Sequence, residues 1–268
     1  MTPVALLAHS DQARLWPPTA PAPTADLSAA YADAREVHAL RRARGEIVRG
    51  YKLGFTNRNL WPRYNVYQPI WGTVWNTTVQ QAEGADHLPL RRLCQPRIEP
   101  EAVFAFKADL VPSGEAPPSL QTLFEALDWV APGFELVQSH LADWKFTAAQ
   151  AVADNALHGR LLVGERMPVR SLAADGEGLH QLLAQTRVAL HRNGQRVEEA
   201  AGALVLDGPL LALLHFVHSI WPQPGGPVLR AGDIVTTGSW TDAWPVKPGQ
   251  HWSARFNQAL PALEVAFR

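Results

Sequence analysis

The stretch from Pro96 to Leu110, Pro-Arg-Ile-Glu-Pro-Glu-Ala-Val-Phe-Ala-Phe-Lys-Ala-Asp-Leu, alternates with a period of two. Ile98, Ala102, Phe104 and Phe106 share one parity, while Glu99, Glu101, Val103 and Ala105 share the other. That period predicts a strand with an apolar face and a mixed face, so the chain must build a sheet around it. Glu99 and Glu101 then point the same way, with Cα atoms about 7 Å apart at the strand rise per residue. Two carboxylates leading into apolar residues repel each other and resist burial unless a positive charge sits between them. Two readings follow from spacing alone. Either the pair marks a solvated strand end, or it holds a hard divalent cation, because Mg²⁺, Mn²⁺ and Ca²⁺ take oxygen ligands.

Composition narrows the classes. A chain of 268 residues with 47% hydrophobic and 18% charged residues can bury a substantial core in one large domain or two small ones. Net charge is −1 and Lys and Arg form no long run, so neither nucleic acid nor an anionic membrane is expected as a partner. Cys94 stands alone, which removes an intrachain disulfide and any Cys-based zinc or iron–sulfur site. That fits a reducing, cytoplasmic location. Pro3 to Ala8 is too short for a signal h-region, and no apolar run is read as approaching the ~20 residues of a membrane helix. Ten tryptophans and 22 prolines against two methionines predict a loop-rich fold with rigid aromatic walls.

The local patterns divide the chain into an N-terminal helical segment, 1–45, and a mixed α/β unit, 46–268. Residues 3–15 predict a short helix, and Trp16 to Pro23, rich in proline, an extended linker. Thr24 is placed to cap a helix from about Ala25 to Arg44, stopped by Gly45. Glu46 to Thr56 reads as a strand interrupted by Gly50 and Gly54. Within it, Lys52 lies between apolar neighbours and either snorkels outward or is a cation held near a substrate carboxylate or metal cluster. Asn57 to Val79 reads as an irregular aromatic lid or binding loop.

Pro117-Pro118-Ser119 opens a predicted helix carrying Leu120, Leu123, Phe124, Leu127 and Val130, ended by Pro132-Gly133. Phe134 to Val137 is a short strand in which Glu135, flanked by apolar residues, is a third carboxylate wanting a partner. Asp143 is placed to cap a helix running to about Asn155, and Leu161 to Val163 is an apolar strand. Asn193-Gly194 between alternating residues predicts a type I′ hairpin. Gly208-Pro209 begins a helix that stops before Pro222, and the tail alternates strands with a Gly238-Ser239-Trp240-Thr241 loop. The common nucleotide-binding glycine motifs, His-Glu-x-x-His and Gly-x-Ser-x-Gly are all absent.

Several segments fall in an ordered series: Gly50-Tyr51-Lys52-Leu53-Gly54-Phe55-Thr56, Gln68-Pro69-Ile70-Trp71-Gly72, Pro96 to Glu101, and Glu135-Leu136-Val137. Ala142-Asp143-Trp144-Lys145, Val152-Ala153-Asp154-Asn155, Gly232 to Ser239 and Val246-Lys247-Pro248-Gly249 complete it. From about residue 25 to the end, this series resembles the 2-keto-4-pentenoate hydratase / 4-oxalocrotonate decarboxylase family of the fumarylacetoacetate hydrolase superfamily. The resemblance implies an α+β fold, a mixed β-rich roll of the fumarylacetoacetate hydrolase C-terminal type, assembled as a homo-oligomer, dimer or larger.

It also implies that Glu99, Glu101 and Glu135 ligate Mg²⁺ or Mn²⁺ and that a 2-oxo acid is the small-molecule substrate. Lys52 matches the family's lysine and would bind the substrate carboxylate or relay protons. Thr237, Ser239 and Thr241 fall in a loop that contacts substrate in related proteins, with turn formation as their other reading. Asp154 is assigned with Lys52 and His158 to the catalytic group as a support of the site, an ordinary Asp-Asn helix end being its other reading. Two positions depart from the pattern. Tyr67 stands where many hydratases carry Asp, and Leu157-His158 replaces a small, serine-containing pair, so Tyr67 is assigned to substrate contact and His158 to proton transfer, a different substrate being the other reading of both departures. The activity implied is hydration of a 2-hydroxydienoate in ring-cleavage catabolism. The alternatives are a decarboxylase or acylpyruvase-like C–C bond hydrolase, and a weakly active assembly partner of such an enzyme.

Overall fold

The computed structural model describes residues 1–18, 26–82, 86–111, 116–221 and 227–268. Helix α1 (Pro3–Gln12) starts behind Thr2, whose hydroxyl accepts from the Ala5 amide, with Pro3 in its first turn. Helix α2 (Leu27–Ala43) is capped by the Asp26 carboxylate, which accepts from the Ser28 amide. Its predicted cap, Thr24, lies outside the described residues, as does most of the proline linker. Strand β1 (Val48–Gly54) follows, then a 3₁₀ turn (Arg58–Leu60), helix α3 (Trp61–Tyr64) and strand β2 (Ile70–Trp75). The stretch expected to be irregular from Asn57 to Val79 therefore holds an ordered strand at the end of the larger sheet, because Ile70 to Trp75 pair antiparallel with β1.

Strands β3 (Val79–Gln81), β4 (Asp86–Leu88) and β5 (Arg97–Phe106) come next. Helix α4 (Leu120–Ala126) is short, and the chain turns at once into the 11-residue strand β6 (Leu127–Val137). This corrects the helix expected to reach Pro132. Leu127, Val130 and Ala131 are buried as strand residues because β6 pairs with β5 along its length, Val130 opposite Phe104 and Ala131 opposite Val103. A strand buried on both faces carries apolar residues at helical spacings too, and periodicity alone does not separate the two.

Helix α5 (Ala148–Ala153) is capped by Thr147 in a capping box with Gln150. Asp143, the expected cap, sits instead in a 3₁₀ turn (Ala142–Trp144) with a φ of 57°. Beyond it lie β7 (His158–Val163), β8 (Met167–Pro168), α6 (Val169–Leu172) and α7 (Gly176–Gln185). Strands β9 (Arg187–Arg192) and β10 (Gln195–Ala201) form the predicted hairpin, with positive φ at both Asn193 and Gly194 as a type I′ turn requires. Helix α8 (Pro209–Ile220) precedes β11 (Ile234–Thr236), β12 (Trp244–Pro245), β13 (His251–Phe256) and β14 (Leu263–Phe267). Pro222 lies outside the described residues.

The strands form two sheets, giving the expected α+β, β-rich roll. The larger curls in the order β2-β1-β11-β5-β6-β7-β3, with β12 added beside β5 and β8 beside β6; the smaller runs β10-β9-β13-β14-β4. Phe104, Phe106, Phe134, Leu213 and Trp252 belong to the main core. On the opposite parity of β5, Val103 and Ala105 join Val74, Ala131, Leu161 and Val163 in a second, smaller buried cluster. The N-terminal helices pack on α5 and β2 through Leu6, Ala30, Ile70 and Val152.

One expectation about hydropathy is adjusted. Gly202–Ile220 is 19 residues with a mean hydropathy of 1.6 over its most apolar window, long and apolar enough to span a bilayer by composition. Leu210, Leu213, Phe216 and Val217 within it are instead buried against the sheets and α7.

Candidate metal centre and active-site cavity

Four adjacent strands of the larger sheet bring the sequence-predicted residues together. Glu99 lies directly opposite Glu135 in the β5–β6 ladder, Glu101 opposite Gly133, and Lys52 opposite Thr236 in the β1–β11 ladder. Like charges facing each other across a ladder repel, and here they do so inside the protein. Glu101 and Glu135 are fully buried and Glu99 half-buried at a cavity wall, which rules out the solvated strand end. Each of the three carboxylates presents an oxygen within 4.8 Å of the other two.

The buried lysine only partly compensates. Lys52 Nζ donates to the Ala156 carbonyl at 2.9 Å and stands 3.1 Å from Glu135 Oε2. Burial opposes its charge, yet Glu135, Glu99 and Glu101 together hold its pKa above the ordinary lysine value. The carboxylates move the other way. Burial, with repulsion from Glu135, pushes Glu101 up to about 8 despite Lys52 and two hydrogen bonds. Glu99 and Glu135 are raised by burial as well, although Lys52 counters it in both.

Glu101 Oε2 accepts from the Thr236 hydroxyl and, at 2.8 Å, from the Gly238 amide. Its other oxygen is buried with no hydrogen-bond partner among the described residues, and buried Glu135 Oε2 has only the ion pair with Lys52. Carboxylate oxygens short of partners and converging on one point fit a hard divalent cation, whose charge offsets the repulsion and whose ligands are oxygens.

Backbone strain supports this floor. Asn155, Ala156 and Leu157 all have positive φ, between 52° and 65°. The turn holds because the Asn155 side chain accepts from the Thr73 amide at 2.8 Å and donates to the Thr73 carbonyl at 3.0 Å. Gly72 beside it is required, since a Cβ there would lie 2.2 Å from the Asn155 carbonyl oxygen. The strained turn thereby aims the Ala156 carbonyl at Lys52. Nothing in the side-chain pattern could have revealed a role for Ala156, because its backbone does the work. Thr236 was within reach: it belongs to the Gly232 to Ser239 motif, one residue before the threonine singled out.

The remaining assigned residues divide. His158 is buried and does not line the cavity. Its Nδ1 donates to Glu135 Oε1 at 2.8 Å and its Nε2 accepts from the Thr78 hydroxyl at 2.9 Å. Burial, reinforced by Lys52, holds its pKa well below the usual histidine value, so the ring is neutral. The structure thus sets His158 against Glu135, away from the cavity wall on which the expected proton-transfer role would put it. Asp154 is also away from the cavity, its carboxylate accepting from the His140 amide at 2.9 Å and from His140 Nδ1 at 2.6 Å. Tyr67 is 76% exposed with its hydroxyl 3.4 Å from Asn65, and it is not brought to the site. A polar ring tip on an exposed turn finds water more readily than a buried cleft. Thr237 is buried with its hydroxyl donating to the Ala102 carbonyl. Ser239 and Thr241 do line the cavity, while their hydroxyls donate to the Thr241 and Asp242 carbonyls.

The cavity above the carboxylates measures about 370 Å³ and has Lys52 and Glu99 on its floor. Phe55, Tyr64, Phe146 and Trp144 line one wall as a chain of ring contacts with centroids 4.6, 5.5 and 6.2 Å apart. Arg97 and Arg63 also line it. Clefts beside Arg49 and Arg166 and beside His38 and Arg230 are not lined by the three glutamates.

Comparison with characterised proteins places this arrangement. No family model matches the chain. It is 30% identical over 224 residues, 84% of its length and 78% of the relative's, to a 2-hydroxyhexa-2,4-dienoate hydratase of Comamonas testosteroni. It is equally 30% identical over 232 residues, 87% of its length and 82% of the relative's, to a 4-oxalocrotonate decarboxylase of a Pseudomonas species. A structure of the Pseudomonas putida 4-oxalocrotonate decarboxylase complexed with magnesium and adipate matches 100% of this chain and 99% of its own, with a TM-score of 0.84 and 25% identity. With identity at this level over more than four-fifths of its length, on a fold that matches end to end, the chain belongs to the 2-keto-4-pentenoate hydratase / 4-oxalocrotonate decarboxylase family of the fumarylacetoacetate hydrolase superfamily.

Proposed function

We propose that the chain is a metal-dependent hydro-lyase that adds water to a 2-hydroxydienoate, or its 2-oxo-enoate tautomer, with Glu99, Glu101 and Glu135 holding Mg²⁺ or Mn²⁺. The observation that carries this reading is the convergence of the buried Glu101 and Glu135 carboxylates with Glu99 beneath the cavity, with one Glu101 oxygen unbonded and Lys52 the single ion-paired cation set against the three acids among the described residues. When bound, a divalent cation supplies Lewis acidity toward the carboxylate and 2-oxo oxygens of such a substrate. The protein's own groups do the rest. Lys52, kept protonated by its glutamate neighbours, offers Nζ–H bonds to the substrate carboxylate and to negative charge building on the 2-oxo oxygen. The rings of Phe55, Tyr64 and Phe146 flank the conjugated chain and restrict water to the polar side of the cavity, where Ser239 and Thr241 lie.

Assembly as a homo-oligomer and a cytoplasmic site of action belong to the same proposal. Decarboxylation is the second reading, favoured by the end-to-end structural likeness to a decarboxylase. A panel of 2-hydroxydienoates and acylpyruvates, run with Mg²⁺ or Mn²⁺ and product mass detection, tests both. Gain of water supports the hydratase, loss of CO₂ the decarboxylase. Absence of metal-dependent turnover across the panel refutes the enzyme reading and favours an assembly partner.

A further inference from the structure

We infer that His140 is a positioning residue: through Asp154 it holds the turn whose Ala156 carbonyl aims Lys52 at the substrate. The inference deepens the 2-oxo acid reading of the cavity and rests on it for the target of Lys52.

Lys52, Ala156 and Leu157 all line the cavity. An ammonium has three donors. Two of those on Lys52 are engaged by the Ala156 carbonyl and Glu135 Oε2, so these two acceptors set the direction of the third. Glu135 is fixed by its ladder and by His158. The Ala156 carbonyl belongs to a turn in which Asn155, Ala156 and Leu157 all have positive φ, a backbone that persists only where its surroundings over-determine it. With that carbonyl displaced, Nζ would be drawn back toward the three glutamates that attract it, and its free N–H would turn from the substrate.

Three grips hold the turn. The Asn155 side chain bonds Thr73 twice, and the Leu157 carbonyl accepts from the Gln138 amide at 2.8 Å. The third grip, at the start of the turn, comes from one residue. The His140 amide donates to Asp154 Oδ2 at 2.9 Å, and His140 Nδ1 donates to Asp154 Oδ1 at 2.6 Å. His140 is itself fastened, its carbonyl accepting from the Trp16 amide at 2.6 Å. Leu141 beside it packs in the same apolar cluster as Trp16, Ala153 and Ala156.

Packing does not account for a histidine here. The ring is buried, and its Nε2 has no hydrogen-bond partner among the described residues. A buried nitrogen without a partner costs stability, and an apolar side chain would avoid that cost. What the ring supplies is Nδ1–H to Asp154. Neither His140 nor Asp154 lines the cavity, so their effect on the substrate is carried by the turn.

The test sets 2-oxo acid binding against metal binding. Calorimetry of 2-oxopentanoate, which has no double bond to hydrate, on the metal-loaded protein reads the first; titration of the metal-free protein with Mg²⁺ reads the second. His140→Ala is expected to lower both 2-oxopentanoate affinity and kcat/KM by about 10- to 100-fold while leaving Mg²⁺ affinity unchanged. His140→Asn, whose side-chain N–H can replace Nδ1–H, should restore most of both. In the Lys52→Met protein, adding His140→Ala should weaken 2-oxopentanoate no further, because residues acting through one another are not additive. Should His140→Ala fail to fold, Asp154→Asn, which keeps the volume and loses an acceptor, carries the same comparison. Parallel loss of Mg²⁺ affinity, additive losses with Lys52→Met, or no recovery in His140→Asn overturns the inference.

The two proposals fail separately. Absence of turnover together with a His140-dependent affinity for 2-oxopentanoate sinks the hydro-lyase reading and keeps the positioning role. Hydration that His140→Ala leaves untouched does the reverse.

Discussion

Glu101 is buried, faces two other carboxylates, and leaves one oxygen without a hydrogen bond. Its neutral isostere should therefore separate metal binding from folding. Glu101→Gln is expected to fold with stability at or above that of the metal-free wild type, because a buried charge is removed without loss of volume. Its affinity for Mg²⁺ or Mn²⁺ should fall by more than the roughly 10- to 100-fold typical of losing a ligand's supporting hydrogen bond; titration calorimetry beside urea denaturation checks both. His158 is such a support, bonded to Glu135 on one side and Thr78 on the other. His158→Ala should lower metal affinity by about 10- to 100-fold and reduce turnover with it. A loss of turnover at unchanged metal affinity would return His158 to the proton-transfer role expected from sequence. The glutamates were legible because three acids in apolar strands demand a partner. The place of Tyr67, exposed and off the cavity lining, was not legible, because a position in a motif says nothing of where its ring points.

At the scale of elements, the loop after β11 carries the most exacting geometry. Gly238 has a φ of 99°, and a Cβ there would lie 1.9 Å from Thr56 Oγ1. Gly238→Ala should destabilise the protein by about 1–3 kcal/mol or more, and by moving the amide from Glu101 it should weaken metal binding as well. Denaturant midpoints with and without metal measure the two effects. Strand β5 was readable because one face carries large apolar groups and the other carboxylates. Its neighbour β6 was not, because Leu127 and Val130 also fit a helical stripe, and only pairing with β5 decides between them. The capping error has a similar cause: Asp143 and Thr147 both suit a cap, and the reciprocal bond from Gln150 selects Thr147. Where a signal was local and unopposed, as at Asn193-Gly194, the reading and the structure agree.

For the molecule as a whole, the acidic floor links folding to pH and to metal. Glu101, with its pKa near 8, keeps protons in the folded state that the unfolded chain has already lost, and stability falls with rising pH wherever the folded state binds more protons. His158, His38 and His215, all lowered on folding, oppose this only up to the ordinary histidine pKa of about 6.5. The metal-free protein should therefore lose stability between about pH 7 and pH 8.5, each kcal/mol lowering Tm by about 2–4 °C. Saturating Mg²⁺ or Mn²⁺ should reverse the loss and release protons, which melts in chelator and in metal, with calorimetry in weak buffer, would detect. A flat profile in chelator would contradict the raised carboxylates.

The three glutamates and Lys52 stand on β5, β6 and β1, whereas Phe55, Trp144, Ser239 and Thr241 come from the turns and loops that connect strands and longer helices. Connecting segments accept sequence change at less cost to the core than strands do. A mutant library confined to those wall positions would thus explore new substrates while the hydrated-acid chemistry stays intact, and selection could retune appetite without rebuilding the reactor.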